Sequence, residues 1–100
     1  MSVLKTYKKQ IFELCEAHKV RHLYAFGSVL TSNFSEDSDV DLIVDFNDVD
    51  VKDYADNYFD FKFSLQNVLN RQIDLLELQA IKNPYFKQVV DQSKELVYGY

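Results

Sequence analysis

Residues 22–46 read HLYAFGSVLTSNFSEDSDVDLIVDF, and the reading of this stretch decides the fold. His22 to Phe26 is short and aromatic-rich and ends on the turn signal Gly27-Ser28, so it reads as a strand. Val40 to Phe46 is apolar and β-branched, the strongest strand in the chain, and stops at the turn-prone Asn47-Asp48. Residues 29–38 between them are polar and irregular, with room for one helical turn.

Helical spacing takes over on either side. Val3, Leu4, Tyr7, Ile11, Leu14 and Cys15 predict a helix over 3–18, with Ser2 as its cap. Cys15 lies on the apolar stripe and reads as a packed core thiol. His18 and His22 have no Cys or carboxylate spaced to join them as ligands and read as local structural residues. A long helix is expected over 51–70, its stripe made by Val51, Tyr54, Ala55, Tyr58, Phe61, Leu65, Val68 and Leu69. Phe59 and Phe63 sit four apart at one edge of that arc. They read either as a protein-binding surface or as part of a wide arc buried under the N-terminal helix. Ile73 to Leu78 reads as a third strand. Pro84 suits the first turn of a last helix over 84–93, and Leu96 to Tyr98 a short edge strand. The order α-β-(loop)-β-α-β-α, without repeat or linker, predicts one α/β domain over 1–100, a small mixed β-sheet packed by helices.

One hundred residues, 47% hydrophobic and 27% charged, with two Gly and one Pro, exclude disordered and low-complexity classes. No apolar run approaches the roughly 20 residues of a membrane span. The first residues carry no apolar signal region, and a single Cys excludes a disulfide framework. These features predict a soluble cytoplasmic protein. A net charge of −5 argues against a simple nucleic-acid binder.

The charge is concentrated. No Lys or Arg occurs between Arg21 and Lys52, a stretch that holds Glu36, Asp37, Asp39, Asp41, Asp45, Asp48 and Asp50. Such a run is either a solvated acidic loop or a site whose repulsion is offset by a cation. Asp39 and Asp41 alternate along a strand start and so project to one face. Two hard carboxylates held together suit Mg²⁺, which keeps waters and accepts substrate phosphates. Gly27 allows close backbone approach, and Ser28 adds a hydroxyl beside backbone N–H groups, a plausible phosphate cradle. Asp74, inside the apolar Ile73-Asp74-Leu75-Leu76, is either an edge charge facing water or a third ligand. If its strand lies beside 40–46, three carboxylates can hold two Mg²⁺ ions about 3.5–4 Å apart, the arrangement of two-metal phosphoryl transfer.

Tyr24-Ala25-Phe26-Gly27-Ser28, followed by Asp37-Ser38-Asp39-Val40-Asp41-Leu42-Ile43-Val44, resembles the minimal nucleotidyltransferases of the DNA polymerase beta superfamily. The likeness continues through Ile73-Asp74-Leu75 and the closing Asn83-Pro84-Tyr85 and Lys94-Glu95-Leu96-Val97-Tyr98. It implies a polymerase-beta-like fold in which Gly27 and Ser28 bind the nucleoside triphosphate. It further implies that Asp39, Asp41 and Asp74 bind Mg²⁺ and carry catalysis. ATP is the implied substrate, AMP the group transferred to an acceptor hydroxyl, and the partner a small helical protein of the HEPN type, towards which this chain would act as an antitoxin, or a second copy. Many relatives carry an Arg soon after Gly-Ser. Here Val29, Leu30, Thr31 and Ser32 follow, so phosphate charge falls to Mg²⁺, backbone N–H groups or a distant cation such as Lys52 or Lys62.

Rival signatures fail. An EF-hand loop at Asp37 to Asp41 has Leu42 where Gly is required. Neither a Walker A motif nor a Rossmann fingerprint is present, and Ser28 lacks a nucleophile elbow. The remaining alternative is a non-catalytic module that neutralises its partner by covering it.

Overall fold

The computed structural model describes residues 2–27 and 39–99. The N-terminal helix is broken at Tyr7 into α1 (Ser2–Thr6) and α2 (Lys8–Ala17). The break is slight, since the Ile11 N–H still donates to the Tyr7 carbonyl at 2.9 Å. Then come β1 (Val20–Phe26), β2 (Val40–Phe46), α3 (Val51–Leu69), β3 (Ile73–Glu77), a 3₁₀ turn at Leu78–Ala80, α4 (Pro84–Ser93) and β4 (Glu95–Tyr98). The strands form one mixed sheet in the order β3-β2-β1-β4. β1 is antiparallel to β2 and to β4, whereas β2 and β3 run parallel. A parallel neighbour needs a long crossover, and α3 supplies it.

Strand alternation divides the residues between two faces. Leu23, Ala25, Val40, Leu42, Val44, Ile73 and Leu75 point into the main core, where Ile11 and Cys15 of α2 and Phe61, Leu65 and Leu69 of α3 meet them. Phe46 and Phe61 close this core edge to face, their ring centres 6.0 Å apart. The other face carries Tyr24, Phe26, Asp41 and Ile43. There α4 sets Phe86 6.1 Å from Phe26, and Lys94 lies 5.0 Å above the Tyr24 ring. α4 starts as its sequence dictates, with Pro84 in the first turn and Asn83 Oδ1 accepting from the Tyr85 and Phe86 N–H groups at 2.9 and 3.1 Å.

The α3 stripe is buried only in part. Phe61, Leu65 and Leu69 are covered, but Val51 is 95% exposed and Ala55 is exposed too. In its first half the helix reaches the sheet through its tyrosines, Tyr54 against Phe46 and Tyr58 against the Leu75 carbonyl, and its first turn is exposed. Phe59 and Phe63 are about half exposed and stack on each other at 6.0 Å. They lie outside the core, and the N-terminal helix does not bury them. Cys15 is fully buried, and burial, then the neighbouring Glu16, pushes its thiol up to about 12. Ser28 and the turn expected within 29–38 lie outside the described residues.

Candidate functional site

The site is assembled by register. Asp41 sits opposite Phe26 on β1 and opposite Asp74 on β3, so the central strand brings the turn after β1 and the third carboxylate to the same place. Asp74 is exposed on an outer strand, as an edge charge would be, and it is also directly across from Asp41. Asp39 is exposed just ahead of β2. Asp41 is half-buried, and three effects raise its pKa above the ordinary 3.8: burial first, then the charges of Asp74 and Asp39. Asp41 thus feels both other carboxylates, and ionising it costs more here than in water, a cost that a cation would offset. Among the described residues, no three His, Cys, Asp or Glu side chains converge into a preformed metal cluster.

Gly27 closes the site from the β1 side. It adopts φ +75°, a left-handed conformation that side chains rarely enter. A Cβ built there would meet Asp41 Oδ2 at 2.6 Å. Backbone and carboxylate are therefore packed as closely as glycine alone permits.

The distant cations proposed for the phosphates are placed badly for it. Lys52 and Lys62 belong to α3, which covers the sheet face opposite to that of Asp41. Lys94 stands on the carboxylate face, over Tyr24 and 2.7 Å from Asp91.

Both histidines are structural, as their isolation in the sequence suggests. His18 Nδ1 donates to the Leu14 carbonyl at 2.8 Å, and its Nε2 lies 3.1 Å from Asp60, tying α2 to α3. His22 lies 3.2 Å from the buried Asp45, which Arg21 also approaches. That cluster borders a polar cavity of about 190 Å³ at the far end of β2, remote from Asp41 along the strand.

Residues 9–100 match the family described as Polymerase beta, Nucleotidyltransferase. A Methanocaldococcus jannaschii protein, provisionally named a protein adenylyltransferase, is 33% identical over 96 residues, covering 96% of this chain and 90% of its own. Protein adenylyltransferase MntA of Thermococcus cleftensis is 32% identical over 97 residues, covering 97% and 89%. A toxin-antitoxin crystal structure with AMP-PNP shares the fold at a TM-score of 0.71 and 22% identity, over 93% of this chain and 73% of that one. A chain provisionally described as a minimal nucleotidyltransferase does so at 0.77 and 23%, over 94% and 92%. With the motif, the register and the sheet order in agreement, this chain belongs to the polymerase beta nucleotidyltransferase family.

Proposed function

We propose that this chain, as one nucleotidyltransferase domain over 1–100, transfers AMP from ATP to a hydroxyl on a small helical partner of the HEPN type, as an antitoxin in the cytoplasm. The observation that carries this reading is the facing pair Asp41 and Asp74, with Gly27 pressed against the Asp41 carboxylate. The names of the two relatives support adenylyl transfer to protein, and the toxin-antitoxin neighbour with AMP-PNP supports a nucleotide-binding antitoxin. No helix of the described residues is long and apolar enough to cross a membrane.

Asp39, Asp41 and Asp74 would hold Mg²⁺, two ions in the full reading. The fit rests on their chemistry: hard oxygen donors, with the Asp41 pKa raised by burial first and then by the charges of Asp74 and Asp39. When bound, Mg²⁺ would offset phosphate charge and acidify the acceptor hydroxyl. Gly27 and Ser28 would seat the triphosphate. The acceptor oxygen attacks the α-phosphorus in line, one O–P bond forms, the bond to the β-phosphate oxygen breaks, and pyrophosphate leaves. The hydroxyl proton passes to Asp74. No covalent nucleotide-enzyme intermediate is required.

The exposed Phe59–Phe63 face favours a second reading, in which the domain acts by covering its partner, because it offers an apolar surface apart from the carboxylates. Incubation with α-labelled ATP, Mg²⁺ and a small helical partner of the HEPN type separates the two. Label on the partner that disappears with Asp41→Asn supports transfer. Tight association without label supports covering alone. A kinetically competent label on this chain would sink the single-displacement route.

A further inference from the structure

Among the described residues, the outer strand β3 has only β2 as a strand neighbour. The Val40 N–H donates to the Gln72 carbonyl at 3.1 Å, so Gln72 turns its backbone groups towards β2. By alternation Asp74 and Leu76 do the same, and Ile73, Leu75 and Glu77 turn theirs outward. No described strand lies there, but α3 does. Gln66 Oε1 accepts from the Ile73 N–H at 3.5 Å, and the Tyr58 hydroxyl donates to the Leu75 carbonyl. One step further along, the Tyr54 hydroxyl donates to the Glu77 carboxylate. Four helical residues rise about 6 Å and two strand residues about 6.6 Å, so Tyr54 and Tyr58 match Glu77 and Leu75 in spacing. The helix thus stands in for the missing strand.

We propose that Tyr58 is a positioning residue: its hydroxyl, held on the Leu75 carbonyl, pins the register of β3 and keeps Asp74 opposite Asp41. A slip of one residue would turn Asp74 into the helix-covered core. A slip of two would keep its face but carry it about 6.6 Å along Asp41's strand, beyond sharing a cation. An outer strand, with a strand partner on one side, resists such slips less than a central one. The bond from Tyr58 adds a fixed point beside Asp74, and Gln66 adds a weaker one on its other side. This inference rests on the reading that Asp74 and Asp41 serve one site.

Tyr58→Phe removes the donor and keeps the ring, which also packs edge to face on Phe59 at 5.0 Å. Amide hydrogen exchange read by NMR tests the pin without any activity. Exchange at Asp74 and Leu76 should speed up roughly three- to tenfold, the factor carried by one hydrogen bond, and amides in the β1–β2 pairing should hold their rates. Gln66→Leu should give a smaller change at the same two amides, and provides the reading if Tyr58→Phe folds poorly. In the transfer assay, Tyr58→Phe should lower kcat several-fold with the KM for ATP nearly unchanged. Unchanged exchange at Asp74 and Leu76 in both variants would overturn the pin. Faster exchange there beside a wild-type chain that transfers nothing would uphold the pin and overturn the proposed reaction.

Discussion

Replacing Gly27 with alanine adds one methyl group at the point where turn and carboxylate meet. The added Cβ would stand 2.6 Å from Asp41 Oδ2, against 3.4 Å for an ordinary contact, so the carboxylate must retreat by about 0.8 Å. The backbone contributes a second penalty, because an alanine at φ +75° costs roughly 1–2 kcal/mol. For a domain of this size that strain lowers Tm by roughly 5–15 °C. The displacement acts on chemistry separately: a shift near 1 Å at a reacting centre costs on the order of 100-fold in rate. Gly99→Ala is the control. Gly99 has φ +105°, and its Cβ would meet the Arg21 carbonyl at 2.4 Å, at the end of β1 away from Gly27. It should cost at least as much stability while leaving transfer per folded molecule intact. The assay is label transfer from ATP at a temperature where both variants are folded, with folding followed by circular dichroism. Gly27→Ala transferring within threefold of wild type would refute the argument that Asp41 needs this contact.

Three further outcomes are expected. Asp41 has a raised pKa in the folded chain, from burial, Asp74 and Asp39, so stability is fuller at low pH and falls as pH rises from 3.8 through its folded value. In chelator, Asp41→Asn should remove that fall in urea unfolding, and an unchanged pH profile would contradict the assignment. Phe59→Ala with Phe63→Ala should move Tm only slightly, since both rings are half exposed, while weakening partner or self association more than tenfold; a large Tm drop with unchanged association would place the rings in the core. The Cys15 thiol, buried and pushed up to about 12, should react with a thiol reagent at pH 8 only at the rate of opening, and rapid native labelling would contradict its burial.

Much of this architecture is legible in the sequence. VDLIVDF at 40–46 and the Pro84 helix appear with the expected ends, because β-branched runs and capping residues act locally. β1 begins two residues earlier than read, since Lys19 takes a φ of 60° and turns the chain at a residue that gives no turn signal. Val51 shows the limit of periodicity. It lies at the same angle on α3 as Leu69, yet only Leu69 is covered. A helical repeat states which residues share a face and not how far the neighbouring layer extends. The candidate carboxylates could be named from residue type and spacing. That Asp74 would stand directly across from Asp41 required the parallel pairing of β2 and β3, which no local pattern encodes.

The crossover through α3 has a consequence for how the chain matures. Asp41 and Asp74 are 33 positions apart in sequence and meet only once β3 has docked on β2. Closing a loop of that length carries an entropic cost that is recovered only when the strand and the helix above it are both in place. A chain that has formed the β1–β2 hairpin but not the crossover would hold Gly27, Asp39 and Asp41 without their third member. Ordering of the last carboxylate is therefore expected to come late, and refolding followed in time should show native-like signals from β1 and β2 before those of β3.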